Sequence, residues 1–131
     1  ENQTKTEHTQ AMINAIKNPQ VDMITHPANL AFPVDLEKVV KAAAKHNVIM
    51  EANASSFYSF RVGRRGDRKM SVQLCRLARE YGVPLSLNSD AHFHTEVGDI
   101  TFLSEIVQEA EIQEKDIINS SAEKVLDFLD I

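Results

Sequence analysis

A chain of 131 residues, 43% hydrophobic and 25% charged with only 4 Gly and 4 Pro, has the composition of a folded globular domain and excludes the disordered and fibrous classes. Folding at this length buries roughly two-thirds of the unfolded chain's surface, so a sizeable core is available. With 19 acidic against 14 basic residues the net charge is −5, which disfavours a nucleic-acid backbone or an anionic membrane as partner; any phosphate must be gathered locally.

Along the chain, Met12, Ile13 and Ile16 recur at helical spacing, and Pro19 stands where a helix must have ended, which predicts a short helix over 9–16. Residues 21–25 alternate as a strand does, and His26-Pro27 closes it because proline cannot continue the ladder. Leu36, Val39, Val40 and Ala43 share one face after an Asp35 N-cap, with Asn47 as a left-handed stop, predicting a second helix. Residues 48–53 read as a buried strand whose polar members gather at its end.

A loop over 54–67 follows, with Gly63 and Gly66, and the stretch carries Arg61, Arg64, Arg65 and Arg68; loops of that length are usually functional or mobile. Met70, Leu74, Leu77, Ala78 and Tyr81 mark a third helix that Gly82 ends, and Leu85 and Leu87 give a short strand running into Asn88-Ser89-Asp90-Ala91-His92. The tail predicts a helix over 97–109 with Phe102, Ile106, Val107 and Ala110 inward, and a last short strand at Ile117-Ile118. A final helix capped by Ser121 would turn Val125, Leu126 and Leu129 to the core. The four methionines, Met12, Met23, Met50 and Met70, are expected as core fillers.

No apolar run approaches the ~20 residues of a membrane span, and the start Glu1-Asn2-Gln3-Thr4-Lys5 is no signal peptide. The single Cys75 cannot form an internal disulfide and points to a reducing compartment, so a cytoplasmic location is expected.

Strands alternating with helices imply an α/β fold with parallel strands, either an open sheet or a barrel. A barrel is favoured because chemically reactive side chains recur at strand ends: His26, then Glu51 with Asn53, then Asp90 with His92. Asp90 and His92, two apart, project to the same side of an extended strand end. Without further information these residues serve equally well as caps and turn residues. As ligands, nitrogen and oxygen donors with no thiolate among them suit zinc, iron or manganese in a hydrolytic site.

Three segments resemble successive blocks of the PHP (polymerase and histidinol phosphatase) family, in the family's order. They are Ile24-Thr25-His26-Pro27-Ala28-Asn29, Glu51-Ala52-Asn53-Ala54-Ser55-Ser56-Phe57 and Asn88-Ser89-Asp90-Ala91-His92. The likeness extends over nearly the whole chain, through Gly98 and the closing segments. It implies the C-terminal part of a distorted seven-stranded (β/α) barrel, residues 1–131 forming one partial domain, with a cluster of up to three metal ions at the strands' carboxyl ends. His26, Asp90 and His92 match ligand positions of that cluster; zinc is the expected metal. Glu51 and Asn53 match a block lining the site, where outer hydrogen bonding to the ligands is the expected role.

The family's pattern begins with a strand bearing His-x-His ahead of the three blocks; no such segment stands ahead of them in this sequence, and His8 cannot replace it. Three matched donors are too few for a catalytic site, so the natural protein is expected to continue upstream by about half a domain and this piece alone to be inactive. The resemblance implies hydrolysis of small phosphate monoesters by a metal-activated water. Arg61, Arg64 and Arg65 are candidates to hold the substrate's phosphate, against the plainer reading of a solvated loop. The alternatives are a module of a DNA polymerase acting on nucleic-acid ends or pyrophosphate, and a non-catalytic remnant of the scaffold. His94 is expected to be a loop residue, His8 an exposed first-turn residue, and His46 a favourable neighbour of a helix C-terminus.

Overall fold

The computed structural model describes residues 4–58 and 66–131. Among the described residues, helices and strands alternate through α1 (Lys5–Ile16), β1 (Met23–Ile24), α2 (Leu36–His46), β2 (Ile49–Asn53), α3 (Arg68–Tyr81), β3 (Leu85–Asn88) and α4 (Thr101–Glu109), and α5 (Ala122–Leu129) closes the series. Short 3-10 turns lie at Ala54–Phe57, His94–Glu96, Glu114–Asp116 and Ile118–Ser120. The expected arginine cluster at 61, 64 and 65 falls outside the described residues.

Helix ends are set by local chemistry. α1 starts earlier than the apolar spacing predicts, because Thr4 and Glu7 form a capping box: the Thr4 hydroxyl accepts from the Glu7 N–H and the Glu7 carboxylate accepts from the Thr4 N–H at 2.6 Å. The buried Thr9 hydroxyl donates to Lys5 O at 2.7 Å and accepts from the Asp35 N–H at 2.8 Å, tying α1 to the start of α2. α2 matches both predicted ends, with Asp35 capping its first turn and Asn47 stopping it at φ 54°, and α3 stops as predicted at Gly82, φ 67°; its N-cap, Asp67, is a finding of the structure.

The sheet is parallel in the order β1-β2-β3, with Met23 opposite Ile49, Met50 opposite Leu85, Glu51 opposite Ser86 and Asn53 opposite Asn88. Each strand reaches its neighbour through a helix, as parallel pairing requires. Because side chains alternate across a strand, this register sorts the sheet into two faces. Met50, Ala52, Leu85 and Leu87 lie on one and join the hydrophobic cluster with α2 and α3. Glu51, Asn53, Ser86 and Asn88 lie on the other. The reading of β2 as a buried strand with its polar residues toward the end holds: all five of its residues are buried, and the register puts Glu51 and Asn53 on the face opposite Met50 and Ala52.

α1 packs on α2, α2 on α3 and α3 on α4. Val39, Val40, Ala43, Leu74, Ala78 and Leu103 from these helices close over Met50 and Leu85. Cys75 sits in the same core, and burial pushes its thiol up to about 12. Since the thiolate is the nucleophile, Ellman's reagent is expected to leave the native protein unmodified over minutes and to titrate one thiol at once in denaturant. Prompt native labelling would mean that this core opens.

Several predicted features shift. β1 is shorter than 21–25; beyond its two paired residues, the ladder continues only through the Ile49 N–H to Asp22 O bond at 2.8 Å. Met50 is fully buried, but Met12 and Met70 are only partly so, and Met23, on β1, is exposed. Gly98 at φ 77° interrupts the helix predicted over 97–109, so α4 begins at Thr101. Its inward stripe is Leu103, Ile106 and Ala110; Phe102 instead stacks on Phe57 at 6.3 Å and meets Tyr58 edge-on at 5.3 Å.

The strand predicted at Ile117-Ile118 is reduced to one parallel bridge between Leu85 and Ile117. α5 forms as predicted, with the Ser121 hydroxyl accepting from the Lys124 N–H, but it packs chiefly on the turn before it and buries no residue fully; Leu126 is 45% exposed. Among the described residues, no helix is long and apolar enough to cross a membrane.

Candidate functional site

The polar face of the sheet converges on Glu51, which is 4% exposed. Its Oε2 accepts from the backbone N–H of His26 at 2.7 Å and from Asn53 Nδ2 at 3.2 Å, and its Oε1 accepts from Asn88 Nδ2 at 2.8 Å. The second Asn53 amide hydrogen goes to Asp90 Oδ2 at 3.1 Å, while Asn53 Oδ1 accepts from the Ser56 N–H and hydroxyl at 2.9 and 3.3 Å. One carboxylate thus ties the end of β1 to the ends of β2 and β3. His26, Glu51, Asn53 and Asp90, drawn from all three sequence blocks, stand on one rim.

Two of these residues adopt backbone conformations that L side chains disfavour: His26 at φ 37° and Asp90 at φ 49°. Such conformations cost on the order of 1 kcal/mol each and persist where surrounding contacts over-determine them. Here those contacts are visible. The His26 N–H is held by Glu51, and the Asp90 carboxylate by Asn53.

His92 lies further out, its side chain 50% exposed against 28% for Asp90. Its Nδ1 is 2.9 Å from the Asp90 carbonyl oxygen. A carbonyl only accepts, so Nδ1 carries the proton and the neutral ring has its lone pair on Nε2, the arrangement in which imidazole ligates a metal. The His92 N–H donates to Glu96 Oε2 at 2.9 Å, and Glu96 is itself buried. The His92 Nδ1 stands 4.0 Å from Asp90 Oδ1.

The chemistry of the donor set fits a divalent metal, but the number falls short. Among the described residues, no three His, Cys, Asp or Glu side chains come together closely enough to hold an ion. Arg68 is engaged on α4, with ion pairs to Glu105 at 3.4 Å and Glu109 at 2.9 Å. His8 is partly buried rather than exposed, edge-on to Phe32 with Nδ1 3.3 Å from Pro33 O; His46 ends α2 and His94 lies exposed on a 3-10 turn. None of the three joins the Glu51 cluster.

Sequence reasoning passed over Ser86, Asn88, Glu96 and Asn119. Ser86 and Asn88 carried a signal: polar residues alternating with Leu85 and Leu87 on a core strand imply a polar face that must find partners. Glu96 and Asn119 carried none, since their partners lie in the fold rather than at a recognisable spacing.

No family profile matches the chain. It is similar to curated proteins named "Probable phosphatase". The relative from Aeromonas hydrophila subsp. hydrophila is 45% identical over 123 residues, which cover 94% of this chain and 49% of that protein. That from Shewanella halifaxensis is 42% identical over 125 residues, 95% of this chain and 49% of the relative. That from Caldicellulosiruptor saccharolyticus is 38% identical over 126 residues, 96% and 51%. The chain spans about half the length of the curated relatives it matches, and over nearly all of its own length it is similar to proteins named as phosphatases.

Proposed function

We propose that the natural-length protein is a metal-dependent phosphatase of the PHP type that hydrolyses small phosphate monoesters. This chain then provides one arc of its metal site, His26, Asp90 and His92, on the C-terminal part of a distorted (β/α) barrel. The observation that carries this reading is the Glu51 carboxylate, which gathers the His26 backbone, Asn53 and, through Asn53, Asp90 onto one rim at the carboxyl ends of parallel strands. Likeness to probable phosphatases over nearly the whole chain supports the reaction class. The missing donors belong, on this reading, to the half of the protein that the relatives have and this chain does not.

When bound, such ions supply an acidified water and neutralise charge on the phosphate. The chain's own residues have simpler tasks. Asp90 and the His92 Nε2 are donors, and Glu51 and Asn53 keep the ends of β1 and β3 in register. Arg61, Arg64 and Arg65 are candidates for the substrate's phosphate because a guanidinium fork matches phosphate oxygens. The net charge of −5 disfavours nucleic acid as substrate, and the unpaired, buried Cys75 fits a cytoplasmic setting.

Metal analysis by mass spectrometry, combined with an aryl phosphate assay on the natural-length protein, is expected to find bound zinc, iron or manganese and hydrolysis abolished by chelation. A metal-free, inactive natural-length protein would overturn this proposal in favour of a scaffold without chemistry.

A further inference from the structure

The last 3-10 turn reaches back to the rim through a single side chain. Asn119 Oδ1 accepts from the Leu87 N–H at 3.0 Å, and its Nδ2 donates to Leu87 O at 2.9 Å and to Asn88 Oδ1 at 3.1 Å. A carboxamide carries the same donor and acceptor as a peptide group. Asn119 therefore substitutes for a strand residue on the edge of β3, just beyond the Leu85–Ile117 bridge.

Its third hydrogen bond has a different effect. Asn88 Oδ1 receives two donors, Asn119 Nδ2 and the Ser86 hydroxyl at 3.0 Å, so the oxygen of this carboxamide must face them and its NH2 must face Glu51. The reversed orientation would set an NH2 against the Asn119 NH2 and an oxygen against the Glu51 carboxylate, and only the Ser86 hydroxyl could adapt by turning its O–H. Asn119 thus fixes which way Asn88 points, and Asn88 fixes one of the two oxygens of Glu51. The other oxygen holds the His26 backbone and Asn53.

We propose that Asn119 and Asn88 are positioning residues for the rim, Asn119 acting on Asn88, and Asn88 on the Glu51 carboxylate that aligns His26 and Asp90. The value of this relay for metal binding rests on the reading of His26 and Asp90 as ligands; its geometry does not. A purely structural role for Asn119, closing the edge of β3, would lower stability and leave the rim in place. The two roles therefore separate by experiment.

The variants are Asn88→Ala, Asn119→Ala and the pair together in the natural-length protein, with Asn119→Asp as a same-size variant that keeps the acceptor for Leu87 and loses both donors. The readouts are zinc affinity by competition with a chromophoric chelator, the NMR shift of the His26 backbone amide, and the melting temperature. Asn88→Ala is expected to weaken zinc about tenfold, as the loss of an outer partner of a ligand does. Asn119→Ala and Asn119→Asp should weaken it in the same direction. The double variant should be no weaker than Asn88→Ala, because both residues act through one path. In every variant the His26 amide is expected to move upfield as its bond to Glu51 loosens.

A lower melting temperature with the His26 amide and zinc affinity at wild-type values would overturn the relay, and so would strictly additive losses. If the unaltered protein bound no zinc, iron or manganese, the metal reading would fall by itself. The His26 amide would still decide whether Asn119 and Asn88 hold the rim.

Discussion

Asp90→Asn in the natural-length protein is expected to abolish stoichiometric metal and to cut aryl phosphate turnover by roughly a hundredfold or more, since even outer partners of a metal ligand are worth ~10–100-fold. The fold should survive. Asparagine has the shape of aspartate and retains an oxygen to accept from Asn53 Nδ2, which reaches the wild-type carboxylate at 3.1 Å. What it lacks is the charge that a hard cation requires. His92→Ala should behave alike for a complementary reason: the loop is anchored by the His92 backbone N–H to Glu96, so deleting the imidazole removes a donor and leaves that bond intact. Metal analysis, circular dichroism and turnover measured on the same samples check both variants. Wild-type metal content and rate in both would show that neither residue is a ligand.

The largest expected effect on stability comes from Glu51→Ala. The substitution strips the acceptor from three donors, and these do not suffer equally. Asn53 retains Asp90, and the half-buried Asn88 can turn to water, but the His26 N–H has only the carboxylate as its hydrogen-bond partner in the network and sits at φ 37°. With a partly buried donor left unsatisfied, at about 1–3 kcal/mol, and the cavity left by the buried Glu51 side chain added, a loss of ~3 kcal/mol is expected. In urea that is a midpoint shift of about 1–3 M at the slopes usual for small domains. Glu51→Gln should fall between, because one of its two polar atoms becomes a donor facing another donor. A shift under about 1 kcal/mol for Glu51→Ala would mean that water replaces the carboxylate without penalty.

The parts of the fold legible in the sequence are those fixed by local chemistry. Leu36, Val39, Val40 and Ala43 between Asp35 and Asn47 gave α2 its face and both ends, because the cap, the apolar stripe and the left-handed stop all lie within thirteen residues. α3 was legible for the same reason, through Leu74, Ala78 and Gly82. The start of α1 was equally local, in Thr4 and Glu7, but spacing of apolar residues alone pointed past it.

Features that depend on distant partners were not legible. Phe102 is drawn out of the α4 stripe by Phe57 and Tyr58, more than forty residues earlier, and Ile117 makes one bridge because Asn119 takes over the edge of β3. At the rim the same division holds. Strand-end positions marked His26, Glu51, Asn53 and Asp90 for attention, and the structure links those four by hydrogen bonds. That Glu51 is the hub, and that Asn88 and Asn119 feed it, follows only from the register of β2 against β3 and from where the chain returns after α4.

The hydrogen bonds around Glu51 also carry a timetable. His26 to Glu51 spans 25 residues of chain, Glu51 to Asn88 spans 37, and Asn88 to Asn119 spans 31. Each therefore waits for a separate loop to close, and contacts of such separation form late compared with helices. During synthesis the ring is incomplete until Asn119 has left the ribosome, by which time α1 to α4 have all emerged. Until then Glu51 lacks the support that orients Asn88, and His26 and Asp90 have least to hold them in their left-handed conformations. On the proposed reading, metal capture at this rim would follow the arrival of Asn119, and a polypeptide truncated before that residue is expected to pack its helices and leave His26 and Asp90 unset.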